Sequence, residues 1–274
     1  MSDHEMVDAV RSTFPTLDRW RDRLACASSP PVWSVLGELD ATWPYLPPSQ
    51  MALFGLGVAR EHLHAIRKLL ESKELFPSAT STLARTALVG AAQTVWCLES
   101  PDQATRLRRC LTLIREDYRN HKLFADYVLD ENNAAEPMPT AVADSARLQT
   151  RLLAVEQLLT FAGGIAPHRL TTDVIPIASA ATAGDEEFRA AINMLWRQQS
   201  GSAHALVWHH YGQAGTTQGP TEPDSIGEVT LRGSIERLAM DYLCAYRVAE
   251  AGFILYDALA GQEADPSDPS PADR

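Results

Sequence analysis

Apolar residues recur at intervals of three and four over most of the chain, the spacing that places side chains on one face of an α-helix. Leu56, Ala59, Leu63, Ile66 and Leu70 form one such stripe, with Arg60, Glu61, His64, Arg67 and Lys68 lying off it, and predict a helix over 51–72. Phe14, Leu17, Trp20 and Leu24 predict a shorter helix over 12–27, stopped by Ser28-Ser29-Pro30-Pro31. Val32, Val35, Leu36 and Leu39 carry the next one to about Trp43, and Pro44, Pro47 and Pro48 make a stiff turn after it. The helix over 79–98 is rich in small residues, Ala84, Ala87, Gly90, Ala91 and Ala92, which let a neighbouring backbone come close and suit a central position in a bundle. Ser100-Pro101-Asp102 has the form of a helix start with serine at the cap, and Leu107, Leu111, Ile114, Tyr118 and Ala125 hold the period beyond it.

A polar connection over 130–139 leads to a helix over 141–162, with Leu148, Leu152, Val155 and Leu159 as its stripe and Gly163-Gly164 at its end. Residues 165–184 are irregular: Val174, Ile175 and Ile177 are β-branched, Pro167 and Pro176 interrupt them, and no partner run elsewhere suggests a strand pair. A helix over 188–211 is followed by a loop over 212–224 with three glycines and two prolines. The longest regular pattern runs from Leu231 through Ile235, Leu238, Tyr242, Tyr246, Ala249 and Phe253 to Tyr256. The expected fold is therefore all-α, a multi-helix bundle of eight or nine helices with a long C-terminal helix. Residues 1–262 read as a single helical domain, and 263–274 as a disordered acidic, proline-rich tail with almost nothing to bury.

With 45% hydrophobic residues in 274, the chain can bury a substantial core. Its charge, 24 basic minus 35 acidic residues or −11, disfavours broad attraction to nucleic acid or anionic lipid, so no DNA is expected as a partner. The helix after Pro101 is the one locally basic element: Arg106, Arg108, Arg109, Arg115, Arg119 and Lys122 face solvent against Asp102, Glu116 and Asp117. Of these, Arg108, Arg115, Arg119 and Lys122 are the candidate phosphate contacts. Cys26, Cys97, Cys110 and Cys244 stand far apart with no paired spacing, so free thiols in a reducing, cytoplasmic setting are expected, with no metal and no cofactor. No apolar run approaches the ~20 residues of a membrane span, and no membrane partner is expected.

Chemistry concentrates in the 188–211 helix. Arg197 and His204 are seven positions apart, about 20° short of two full turns, and so share a face; Ser200 lies between them and Tyr211 follows. Seven residues also cover about 10 Å of helix axis, so the two side chains converge only if the helix is irregular near Gly201 or a second subunit supplies one of them. An imidazole titrating near neutrality can move a proton to or from a ribose hydroxyl. A guanidinium matches a phosphate with a permanent, planar charge. The catalytic assignment is Arg197 for phosphate charge, His204 for proton transfer and Ser200 or Tyr211 for orientation, in metal-independent cleavage of RNA.

An Arg followed after six residues by a His, with polar Gln198 next to the Arg, resembles the motif of the HEPN superfamily of small helical domains, and the helical pattern from about Met51 to Leu259 is similar to DUF5677-type helical proteins placed near it. The resemblance implies a homodimer that brings two motifs together, with RNA as substrate or ligand. Arg115 and His121, five residues between them, make a second, looser match, which shares a face only if its helix ends near Asn120. Two other readings stand beside this one: a non-enzymatic helical interaction or scaffold protein, and a small-molecule-binding bundle whose Trp96, Trp196, Trp208, Tyr242 and Tyr246 line an apolar pocket.

Overall fold

A computed structural model describes residues 2–130, 139–210, 215–219 and 229–261. Its helices are α1 (Asp3–Ser12), α2 (Phe14–Ala25), α3 (Val35–Thr42), α4 (Pro48–Glu71), α5 (Pro77–Leu98), α6 (Gln103–Leu129), α7 (Pro139–Phe161), α8 (Ile175–Ala181), α9 (Glu186–Ala203) and α10 (Ile235–Leu259). The chain is an all-α helical bundle, as its periodicity predicts. A short antiparallel pair, β1 (Thr216–Gln218) and β2 (Val229–Leu231), is an addition to it, in the register Thr216↔Leu231, Thr217↔Thr230, Gln218↔Val229.

Several boundaries differ from the sequence expectation, each for a local reason. The expected 12–27 helix is α2, Phe14–Ala25, and a separate helix precedes it. Ser2 accepts the Glu5 N–H and Glu5 returns a bond to the Ser2 N–H, a reciprocal box that starts α1 ahead of it. Asp102, not Ser100, caps α6, its carboxylate accepting the Thr105 N–H at 2.9 Å. Leu231 continues the periodicity of the last helix but sits in β2, and Ser234 caps α10 by accepting the Arg237 N–H. The irregular 165–184 stretch holds a π-helical turn at Leu170–Val174 that runs into α8, where Pro176 occupies the first turn, the position at which a missing N–H leaves no gap. The expected acidic tail at 263–274 lies outside the described residues.

Helices α4, α5 and α10 form the centre, with Leu56, Leu63, Ile66, Leu88, Val95, Trp96, Tyr242, Val248 and Tyr256 at or near zero exposure. The small-residue face of α5 does what its composition implies: Gly90 lies back to back with Gly55 of α4, and Thr94 donates to the Ala52 carbonyl at 3.0 Å. A second cluster lies between α6 and α7, where Leu111, Ile114, Leu148, Val155 and Leu159 close on Trp43, whose Nε1–H donates to Tyr118 Oη at 3.2 Å. All four cysteines are free thiols, with Cys97, Cys110 and Cys244 buried and Cys26 exposed. Among the described residues no helix is long and apolar enough to cross a membrane.

Candidate functional site

The C-terminal end of α9 is where polar side chains gather. The helix stops at Ala203 because Ala205 takes a left-handed conformation (φ 54°), with Ala205 N–H bonding to Ser202 O at 3.1 Å and Leu206 N–H to Gly201 O at 2.9 Å. These two reversed bonds make a Schellman closure, in which glycine is the usual left-handed residue. The chain then doubles back through a 3-10 turn, Val207–His210, and lays Trp208 and His209 on the helix it has just left. A Cβ on Gly201 would stand 2.7 Å from that of His209, so Gly201 is the floor for this turn rather than a break in the helix. The predicted continuous helix to Tyr211 is thus corrected: it ends at His204 as C-cap, and Tyr211 lies outside the described residues.

Arg197 and His204 are both exposed on α9, and no hydrogen bond or ion pair joins them among the described residues. Ser200 is half-buried and meets a different guanidinium, that of Arg85 on α5, whose Nε–H donates to Ser200 Oγ at 3.4 Å. The Arg85 guanidinium carbon lies over the Trp196 ring, 4.5 Å from its centroid. Burial pulls its guanidinium below the ordinary arginine value, and no carboxylate pairs with it among the described residues. Nothing in the local spacing of α5 marked this residue, since its partners lie more than a hundred positions away.

The basic face of α6 is engaged internally. Arg108 donates to the Gly164 and Ile165 carbonyls at 2.8 and 3.0 Å and so ties down the turn after α7. Arg115 pairs with Glu156 of α7 at 2.8 Å, Arg119 with Glu116 at 2.6 Å and Lys122 with Asp126 at 2.5 Å. Helix α6 runs unbroken past Asn120 to Leu129, so Arg115 and His121 stay about 120° apart around it.

Behind Ser200 lies a buried polar network. Asp241 of α10, fully buried, accepts from Ser81 Oγ at 2.7 Å, Gln199 Nε2 at 3.1 Å and Arg237 Nε at 2.9 Å, and Arg237 also donates to Gln198 Oε1 at 2.6 Å. The carboxylate thereby ties α5, α9 and α10 together at one end. The Arg237/Asp241 spacing of four could have flagged it, an ion pair inside the apolar stripe of a helix. A cavity of about 20 Å³ opens beside it, lined by Thr80, Ser81, His210, Arg237 and Asp241, and is large enough for one water molecule. The Thr80 hydroxyl and Arg237 Nη2 are buried there with no hydrogen-bond partner among the described residues.

The rings of His209 and His210 lie against each other, centroids 3.7 Å apart and planes tilted by 44°, both buried; His209 Nδ1 pairs with the Leu206 carbonyl and His210 Nε2 with Ser78 Oγ at 3.4 Å. Burial, then His209, then Arg237 hold His210 below its ordinary value. Unfolded, His210 therefore takes up a proton more readily than folded. Its contribution to stability is complete above the ordinary value of about 6.5 and is lost as pH falls through it toward the lower folded value. His64, lowered first by burial, acts in the same direction. The melting temperature is expected to fall between pH 7.5 and 5.5, and to fall less in His210→Gln; an identical slope in the two proteins contradicts the assignment.

No protein-family model, no curated protein and no solved structure matches the chain.

Proposed function

We propose that the exposed end of α9 binds the phosphodiester backbone of single-stranded RNA, with Arg85 as the principal anion contact, Arg197 as a second positive charge and His204 as the proton carrier. The observation that supports this reading is Arg85: a half-buried guanidinium with no carboxylate among the described residues, held on an indole and against Ser200, one helical turn before His204. A partly desolvated cation without a counter-charge favours an anion, and its planar N–H fork suits phosphate. Exposed Trp208, in the turn that follows His204, offers a face for a base. The expected homodimer belongs to the same proposal, and exposed Leu123, Phe124 and Tyr127 near the end of α6 supply an apolar face for it. A monomeric mass in sedimentation equilibrium removes that part.

In a chain of charge −11, long-range attraction opposes RNA, so affinity rests on short-range contacts. Two neutralised phosphates give a slope of log K against log salt of only about −1.4. Fluorescence anisotropy with a labelled single-stranded RNA oligonucleotide is expected to show Arg85→Ala weakening binding about tenfold, the order that removing one charge-assisted hydrogen bond produces. His204→Ala is expected to keep binding and to slow any cleavage, followed on a gel in the presence of a chelator. Binding and cleavage untouched by both substitutions would rule the reading out.

A further inference from the structure

Two of the four cysteines meet where α5 hands over to α6. Cys97 stands in the last turn of α5 and Cys110 two turns into α6, 4% and 2% exposed. The crossing between them is held by arginines. Arg106 Nε donates to the Leu98 carbonyl at 3.2 Å, and Arg109 Nη1 donates to the Trp96 carbonyl and to Glu99, each at 2.7 Å. These bonds lay the first turns of α6 against the end of α5, and both cysteines line one small cavity of about 50 Å³, with Met51, Phe54, Thr94 and Leu113 among its other walls. Thr94 shares its hydroxyl proton between the Ala52 and Gly90 carbonyls, at 3.0 and 3.2 Å. Among the described residues of the lining, the two thiols are the only ionisable groups. Phe54 is 70% exposed, which puts the cavity just beneath the surface. One water needs roughly 10–15 Å³ of such space, so the cavity takes a molecule of two or three heavy atoms. A hydrogen bond to Cys110, then burial, push the Cys97 thiol well up, against a smaller opposite pull from Arg109.

We propose that Cys97 and Cys110 are a dithiol that hydrogen peroxide, entering this cavity, converts into a disulfide between α5 and α6. One thiol gives up its proton and its sulfur attacks a peroxide oxygen; the O–O bond breaks, a sulfenic acid forms, and the departing hydroxide takes the proton to become water. The other sulfur then attacks the sulfenic sulfur. An S–S bond forms, and the sulfenic hydroxyl leaves with the second thiol's proton as a second water. One peroxide is reduced to two waters and two thiols are oxidised to one disulfide, so no further reactant is needed. The bond draws the sulfurs from hydrogen-bond distance to about 2 Å and ties the end of α5 to α6 across residues 99–102. Neither cysteine belongs to the proposed RNA contacts, and the inference does not rest on them.

The test uses the full-length chain carrying Cys26→Ser, which removes the exposed thiol. It is treated with millimolar hydrogen peroxide under conditions where its circular dichroism stays native, alkylated, and measured by intact mass spectrometry. The expected product has lost the mass of two hydrogen atoms, regains them with a reductant, and yields on proteolysis two peptides joined through Cys97 and Cys110. Cys97→Ser and Cys110→Ser should each abolish that loss. Cys244→Ser should leave it unchanged, since that thiol is buried in α10 and pushed up to about 12 by burial and then by Asp241. Cumene hydroperoxide is too large for the cavity and should close the pair about tenfold more slowly than hydrogen peroxide, because close-packed helices do not admit it. Reaction requires the thiolate, which the raised Cys97 value disfavours, so the rate with hydrogen peroxide should lie below that of glutathione at pH 7 and rise with pH. Thiols that stay reduced, a bridge that includes Cys244, or oxygen added to either cysteine without a bridge overturns the proposal. Equal rates with the two peroxides overturn it as well, since the thiols are then reached by parting of the helices and not through the cavity. If a serine variant loses its helical spectrum, the joined peptides from the parent chain and the comparison of peroxides decide the matter alone.

Discussion

Asp241→Ala is expected to lower the unfolding free energy by about 3–5 kcal/mol, the range for removing one partner of a buried ion pair. The reason lies in what remains. Arg237 keeps its charge with 15% of its side chain exposed and no carboxylate to meet, and the Ser81 hydroxyl and Gln199 amide lose the acceptor they share. Asp241→Asn keeps the shape and one acceptor oxygen, so its cost should be smaller, about 1–3 kcal/mol. Urea unfolding at neutral pH measures both. Replacing the pair together, Arg237→Met with Asp241→Leu, should recover much of the loss, because the desolvated charge is then gone as well. Because Gln199 adjoins Ser200, loosening this network also frees the helix end that carries the proposed RNA contacts. A loss below about 1 kcal/mol in Asp241→Ala would mean that water enters the network and satisfies what the carboxylate leaves behind.

How much of this could be read beforehand depended on whether the cause was local. The stripes of α4, α5 and α6 were legible because burial of one helical face repeats every turn, and Leu56, Leu63, Leu111 and Ile114 are all fully buried. The end of α9 was not. Its left-handed residue is Ala205, where a sequence reader looks for glycine, and Gly201 stays helical because it is packed against, not because the chain turns there. Helix α1 had a legible start in Ser2 and Glu5, but a stripe reduced to Met6, Val7 and Val10 was too short to stand out. The basic face of α6 was counted along one helix, and that count could not include Glu156 from α7 or the Gly164 and Ile165 carbonyls that occupy Arg115 and Arg108. Arg85 with Ser200, and Asp241 with Ser81, are pairs made by the tertiary fold, and neither periodicity nor spacing along the chain encodes them.

The second large effect is expected where α4 crosses α5. A Cβ built on Gly90 would lie 2.6 Å from the Gly55 carbonyl oxygen, and one on Gly55 would lie 2.7 Å from the Gly90 oxygen and from Thr94 Oγ1. The obstacle is backbone on both sides, so no rotamer relieves it, and α5 is held from behind by α10, where Gly252 closes on Leu56 and Val95. To admit a side chain, α4 must back away and open gaps along Leu56, Ala59 and Leu63, all fully buried. Gly90→Ala is expected to lose about 1–3 kcal/mol, against a gain of about 1 kcal/mol that alanine brings to an unconstrained helix interior. Gly90→Val should lose more, through the same clash and two further methyl groups. Gly57, two residues beyond Gly55 on α4, separates the two effects: a Cβ there meets nothing within 4 Å, so Gly57→Ala should raise stability by about 0.5–1 kcal/mol. Urea midpoints of the three variants should therefore fall on both sides of the wild type. If Gly90→Ala stabilises the chain as Gly57→Ala does, the helices do not touch at this crossing and α5 is not the close-packed centre of the bundle.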